Sequence, residues 1–140
     1  MAFKHIAVIA GLIVSILFAG CLSENAIKTR DTAFDIKPSE LTMKNGETGK
    51  VMIRVTNNGK SIIYPVARFS VNSSDSHYVN FTPESYDFGA LRPDEDSGFR
   101  IVEIRATLAA GTEIKYPAKV ELVYNNTVIE GKEIIITVKG

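Results

Sequence analysis

The sequence predicts an all-β fold: an antiparallel β-sandwich of seven or eight strands behind an N-terminal apolar segment. Three observations predict it. Beyond residue 33, apolar and polar residues alternate with period two in run after run. The runs are short and separated by glycine, proline and asparagine turn signals. No stretch after the leader repeats its apolar residues at helical spacing, and many short strands between turns are the pattern of a sandwich. The expected division is a leader over residues 1–20, a polar tether over 21–32 and the sandwich over 33–140.

Each element has its own warrant. Phe34-Asp35-Ile36 and Leu41-Thr42-Met43 read as one edge strand split by Pro38, because proline withdraws a donor from the ladder. Asn45-Gly46 turns the chain. Val51, Ile53 and Val55 alternate with Met52, Arg54 and Thr56 as a half-buried strand, which ends at Asn57-Asn58-Gly59, residue types that tolerate positive φ. In the next strand, residues 62–71, Ala67, Phe69 and Val71 share one face. A polar loop over 72–76 leads to a short strand over 78–81. Pro83 then interrupts before Tyr86, Phe88 and the turn at Gly89.

Residues 92–98 form an acidic turn, and residues 99–108 are expected to be the longest strand, with Val102, Ile104, Ala106 and Leu108 facing inward. After a turn at 109–112, Val120, Leu122 and Tyr124 alternate with polar neighbours. Asn125-Asn126 fits a two-residue hairpin with positive φ at both positions. The last strand, residues 127–139, buries Ile134, Ile136 and Val138, and Gly131 marks a bulge or break in it. The stretches led by Pro38 and Pro83 resemble each other, which reads as the two sheets of one sandwich starting alike.

Ahead of this body, Lys4 precedes an apolar run over residues 6–18, and Ala19-Gly20 leads into Cys21, the chain's single cysteine. Leu17-Phe18-Ala19-Gly20-Cys21 resembles the lipobox of bacterial and archaeal lipoproteins. The resemblance implies cleavage before Cys21, lipidation of its thiol and a domain held on the extracytoplasmic face of the cell membrane. The alternative is an uncleaved single transmembrane anchor, since residues 6–22 reach the lower length limit for a span. With Cys21 modified, no thiol is left for a disulfide, so the domain must be held by its core. The sequence carries 16 basic and 16 acidic residues. That balance gives no electrostatic case for binding nucleic acid or anionic lipid. Asn72-Ser73-Ser74, Asn80-Phe81-Thr82 and Asn125-Asn126-Thr127 satisfy the N-glycosylation sequon, which makes Asn72, Asn80 and Asn125 candidate glycan acceptors; chance occurrence is the competing reading.

Phe34-Asp35-Ile36-Lys37-Pro38-Ser39-Glu40-Leu41, Gly46, Val51-Met52-Ile53-Arg54-Val55 and Asn57-Asn58-Gly59 resemble the opening of immunoglobulin-like domains on archaeal and bacterial surface proteins. Phe81-Thr82-Pro83-Glu84-Ser85-Tyr86-Asp87-Phe88-Gly89 has the same character. The chain is similar to the CARDB-type and alpha-galactosidase-associated domains as a group. The antibody-type cysteine pair and tryptophan are missing, and Tyr116 is placed for the tyrosine-corner role of such sandwiches. The resemblance implies a fold and leaves activity open.

Catalysis needs convergent titratable groups. The body has one histidine, His77, beside Asp75 and near Ser73, Ser74 and Ser76. Residues so close in sequence rarely adopt triad geometry, and no nucleophile-elbow motif is present, so an exposed loop histidine is the expectation. A zinc site lacks ligands. Calcium accepts carboxylates, which leaves Asp94, Glu95 and Asp96 as weak candidates against a solvated turn. No metal, no other cofactor and no catalytic residue are expected. Tyr64, Tyr78, Tyr86 and Tyr124 could line a sugar-stacking face, but partial burial in the sandwich is the expectation. The expected function is a non-enzymatic binding or scaffolding module with a protein or glycan partner in the envelope. The alternative is a ligand- or glycan-binding accessory subunit of an envelope transporter or enzyme. A concave patch of exposed tyrosines would favour the accessory subunit, and a flat charged surface would favour the scaffold.

Overall fold

The computed structural model describes residues 31–140; the leader, Cys21 and the tether up to residue 30 lie outside the described residues. In chain order the strands are β1 (Thr32–Lys37), β2 (Glu40–Lys44), β3 (Thr48–Asn57), β4 (Val66–Val71), β5 (Val79–Thr82), β6 (Ser85–Asp87), β7 (Arg100–Ala106), β8 (Glu113–Tyr124) and β9 (Thr127–Lys139). They form a four-stranded sheet, ordered β1-β3-β7-β5, packed on a five-stranded sheet, ordered β2-β9-β8-β4-β6. The described residues contain no α-helix. This is the all-β sandwich that the alternation predicts.

Among the described residues nine strands are present where seven or eight are expected. The cause lies at the two prolines. What reads as one edge strand split by Pro38 is two strands in different sheets: β1 pairs with β3, and β2 pairs with β9. Pro83 does the same for β5 and β6, which pair with β7 and β4. Both strands before a proline are edges of the four-stranded sheet, and both strands after one are edges of the five-stranded sheet. Each side of the sandwich is thus closed by a single strand that changes sheet. Both X–Pro bonds, Lys37–Pro38 and Thr82–Pro83, are cis. The sandwich is not wholly antiparallel, because β2 runs parallel to β9.

Two expected lengths are corrected. Residues 99–108 shrink to β7, and the longest strands are β8 and β9, with 12 and 13 residues. β8 extends back through Pro117 because β4 ends at Val71, opposite Ala118, so the missing N–H falls where only β9 is a neighbour. In β9 the strand runs on through Gly131. The irregularity lies beside Ile129, which has no partner between the Leu122–Glu130 and Val123–Val128 pairs and is buried in the core.

The inner faces meet in one hydrophobic core. Val51, Ile53 and Val55 of β3, with Val102 and Ile104 of β7, are completely buried, as are Val120, Leu122, Ile136 and Val138 from the opposing sheet. At about 25 cal/mol per Å² of apolar surface removed from water, this layer is the main stabilising term. The described residues hold no disulfide to share that work.

Strand directions place the two ends of the described chain at opposite ends of the sandwich. At the N-terminal end, Asp31 O accepts from Asn58 N (2.8 Å), and the segments 58–65 and 88–99 gather with the Asn125-Asn126 turn. That hairpin has φ of 52° and 58°, as its two asparagines predict. At the C-terminal end, Gly140 N donates to Thr112 O and Asn45 N to Lys139 O, both 2.8 Å, and the 72–78 and 107–112 loops lie there.

Candidate binding face

Period two leaves every second residue of the four-stranded sheet facing outward. Lys37, Met52 and Ile101 form one cross-strand row, and Asp35 and Arg54 form the next. Phe99 continues that second row just ahead of β7. Met52, Phe99 and Ile101 are exposed, Ile101 to 54% of its surface. An isolated exposed apolar residue needs no explanation, but three together on a rigid sheet do.

The patch is bordered by charge. The Lys37 ammonium lies 5.0 Å and the Arg54 guanidinium 4.6 Å from the Phe99 ring centre, so both cations sit against its negative face. Arg54 donates to Asp35 through Nη2 (2.9 Å) and Nε (3.3 Å) and lies 3.8 Å from Asp96. The Asp35 hydrogen bond raises the Arg54 pKa further above its ordinary value, partial desolvation opposes the shift, and Asp96 adds to it. Asp96 is held below the usual carboxylate range, chiefly by the Gly98 N–H (2.6 Å) and also by the Thr56 hydroxyl (3.1 Å) and Arg54. The face is flat and amphipathic, with a cation-capped aromatic at its centre. It suits a broad contact.

The outer face of the five-stranded sheet is different. Rows such as Thr42–Thr137–Lys115 and Glu133–Lys119–Ser70 make it polar and charged. It carries an open depression of about 350 Å³ lined by Lys119, Glu121, Gly131, Lys132 and Glu133.

The candidates named from sequence are dispersed. His77 is exposed in the 72–78 loop, where its ring meets Tyr78 edge-on, at 5.6 Å. Ser76 Oγ donates to Ser73 O, so these residues close their own loop. Glu95 and Asp96 spend their carboxylates on the turn: Glu95 accepts from Arg92 N and Asp96 from Gly98 N. Among the described residues, no group of three or more His, Cys, Asp or Glu is placed to hold a metal ion. Of the four tyrosines offered as a sugar face, only Tyr64 is exposed (57%); Tyr78, Tyr86 and Tyr124 pack against the core. The sequon residues Asn72, Asn80 and Asn125 are all exposed, and Asn80 lies within β5 rather than in a turn. Cys21 lies outside the described residues.

Tyr116 does take the tyrosine-corner arrangement. Its hydroxyl donates to Thr107 O (2.8 Å) and accepts from Ala109 N (3.0 Å), fastening the 107–112 loop to β8. Sequence reasoning missed the counterpart at the other end. Asn57 is buried; Nδ2 donates to Ser61 O (2.8 Å) and Leu91 O (2.9 Å), and Oδ1 accepts from Gly59 N (3.0 Å). Ser97 is buried beside it and accepts from Val55 N (2.9 Å) through Oγ. Missed as well was the Phe99 patch, although Met52 and Ile101 both lie on the polar parity of their strands.

No protein-family model and no curated protein matches the chain. Solved structures do. One is the ASH/PapD-like domain of human CEP192, 15% identical, covering 83% of this chain and 90% of that one, at a TM-score of 0.50. Domains 4 and 5 of the S-layer protein SbsC match at 5% identity over 77% and 51%, at 0.50. Salmonella alpha-2-macroglobulin matches at 10% identity over 78% and 7%, at 0.51. The chain therefore spans about half of the S-layer fragment and a small part of the macroglobulin. A CARDB domain from Pyrococcus furiosus in complex with di-metal ions is also matched, at 18% identity over 77% and 87%, with a TM-score of 0.47. At these identities the likeness shows an immunoglobulin-like fold and nothing further.

Proposed function

We propose that the protein is a lipid-anchored extracytoplasmic binding or scaffolding module, without catalytic activity, that contacts a protein or glycan partner of the cell envelope through the outer face of its four-stranded sheet. The observation that carries the binding role is the Met52–Phe99–Ile101 patch, clamped between Lys37 and Arg54 on a rigid sheet. An aromatic with flanking cations is the residue pattern that anchors protein interfaces, and it also stacks on sugar rings. The anchoring role rests on the leader and on Cys21 directly after Ala19-Gly20. The competing reading, an accessory ligand-binding subunit, expects a concavity of exposed tyrosines, and of Tyr64, Tyr78, Tyr86 and Tyr124 only Tyr64 is exposed, the others packing against the core.

Anchoring is tested by intact-mass analysis of the protein extracted from membranes. The expected product begins at Cys21 and carries acyl or ether lipid, and Cys21→Ala should leave the leader uncleaved. An unmodified product beginning at Met1 overturns the lipid anchor. Binding is tested with Phe99→Asp, which should abolish co-purification of the envelope partner while leaving the thermal transition within a few degrees, because Phe99 lies outside the core. Retained co-purification overturns the assignment of the face.

A further inference from the structure

The exposed apolar residues that do not belong to the Phe99 patch collect at one end of the sandwich. Ile62 and Tyr64 are exposed and flank Ile63, which is buried by its bridge to Leu91, so both side chains point away from the core. Two residues on, Val66 pairs with Val123, which pairs with Val128, in one row on the outer side of the five-stranded sheet. Val128 is 44% exposed. This strip lies at the N-terminal end. None of the exposed large hydrophobic residues lies in the 72–78 or 107–112 loops of the opposite end.

The chain outside the described residues arrives at the same place. Asp31 is hydrogen-bonded to Asn58, in the segment that carries Ile62 and Tyr64. About ten residues separate Asp31 from Cys21, and whatever their conformation they span at most about 35 Å. β9, with 13 residues, is about 44 Å long. A body of that height cannot stand with its C-terminal end on the membrane while Cys21 is held there, because the connection is too short. The anchored molecule therefore stands N-terminal end down or lies on its side, and the exposed apolar strip at the N-terminal end favours the first.

We infer that this end docks on the lipid surface, with Ile62, Tyr64 and Val128 entering the interfacial zone of the bilayer. The inference rests on the anchoring proposed above. Tyrosine suits that zone because its ring is apolar and its hydroxyl stays hydrated. The strip is too small to bind a membrane alone, and the tether supplies a high local concentration, as the second signal does in two-signal anchoring. The same end carries the exposed acids Asp87, Asp94, Glu95 and Asp96, against Lys60 and Arg92, so a zwitterionic surface fits it better than an anionic one. Docking leaves the Phe99 face standing beside the membrane and free for a partner.

Depth-dependent quenching tests this. The sequence has no tryptophan, so single tryptophans report without background. Full-length lipidated Tyr64→Trp, His77→Trp and Ile101→Trp proteins are reconstituted in phosphatidylcholine vesicles with brominated acyl chains. All three positions are exposed, so the fold is retained. Tyr64→Trp should be quenched at least twofold more than the other two, and replacing half the lipid by phosphatidylglycerol should reduce the difference. Equal quenching at all three positions, or none at Tyr64→Trp in protein that floats with the vesicles, overturns the docking and leaves the anchor intact. Loss of Tyr64→Trp quenching together with concentration-dependent dimerisation assigns the strip to a second copy instead. Protein that does not float at all removes the anchor, and the docking falls with it.

Discussion

The two ends of the sandwich are closed by different devices. At the C-terminal end one aromatic hydroxyl, Tyr116 Oη, ties a loop to the strand beneath it through two backbone bonds. At the N-terminal end a buried amide, Asn57, holds three backbone groups across two loops, and Ser97 pins the acidic turn to β3. The N-terminal end is thus the more heavily laced, and it also exposes Ile62, Tyr64 and Val128. That end combines a denser set of side-chain hydrogen bonds with an exposed apolar strip, whereas the C-terminal end is fastened by one hydroxyl and exposes no large hydrophobic residue in its loops.

Substitutions sharpen the contrast. Asn57→Ala strands Leu91 O in buried surroundings and Ser61 O and Gly59 N in partly buried ones, and should cost about 2–3 kcal/mol in urea unfolding. Tyr116→Phe removes two bonds while keeping the ring packed, and should cost about 1.5–2 kcal/mol. A larger loss for Tyr116→Phe than for Asn57→Ala would reverse the ranking of the two ends. Ser97→Ala should cost about 1 kcal/mol, and hydrogen exchange should rise in the 92–98 turn and not in the 107–112 loop.

Charge gives smaller effects. The Glu130 pKa is raised, mainly by desolvation, with Lys132 opposing and Asp35 adding to the rise. The folded state therefore holds this proton more tightly than the unfolded chain. Stability falls as pH rises from the unfolded carboxylate pKa through the higher folded one, and is regained on acidification. Glu130→Gln should stabilise the protein at pH 7 by less than about 1 kcal/mol, and the gain should vanish below about pH 4. Lys37→Ala should shift stability by no more than about 0.5 kcal/mol, since an exposed cation–π contact is weak, yet should impair partner binding.

Local signals carried most of the fold. Alternation along β3, β8 and β9 fixes their inner faces, and Asn125-Asn126 states its own turn geometry. The prolines announced edges but not a change of sheet, because proline's missing donor reports a position in a ladder and says nothing of which ladder comes next. Asn57 read as a turn former, since its key acceptor, Leu91 O, is 34 residues away and no local pattern records that contact. The candidate face was partly legible. Met52 and Ile101 stand on the solvent side of amphipathic strands, but only the register of β1, β3 and β7 brings Lys37 and Arg54 beside Phe99. The tyrosines were legible in part: partial burial holds for Tyr78, Tyr86 and Tyr124, whereas Tyr64 is exposed.

The most direct test of the account compares the two outer faces in intact membranes. A photo-crosslinking residue is placed at Ile101 on the four-stranded sheet or at Lys115 on the five-stranded sheet. A discrete adduct at Ile101 that disappears with Phe99→Asp, with none at Lys115, is the predicted result. An adduct at Lys115 alone, or equal adducts at both positions that persist in Phe99→Asp, would contradict it.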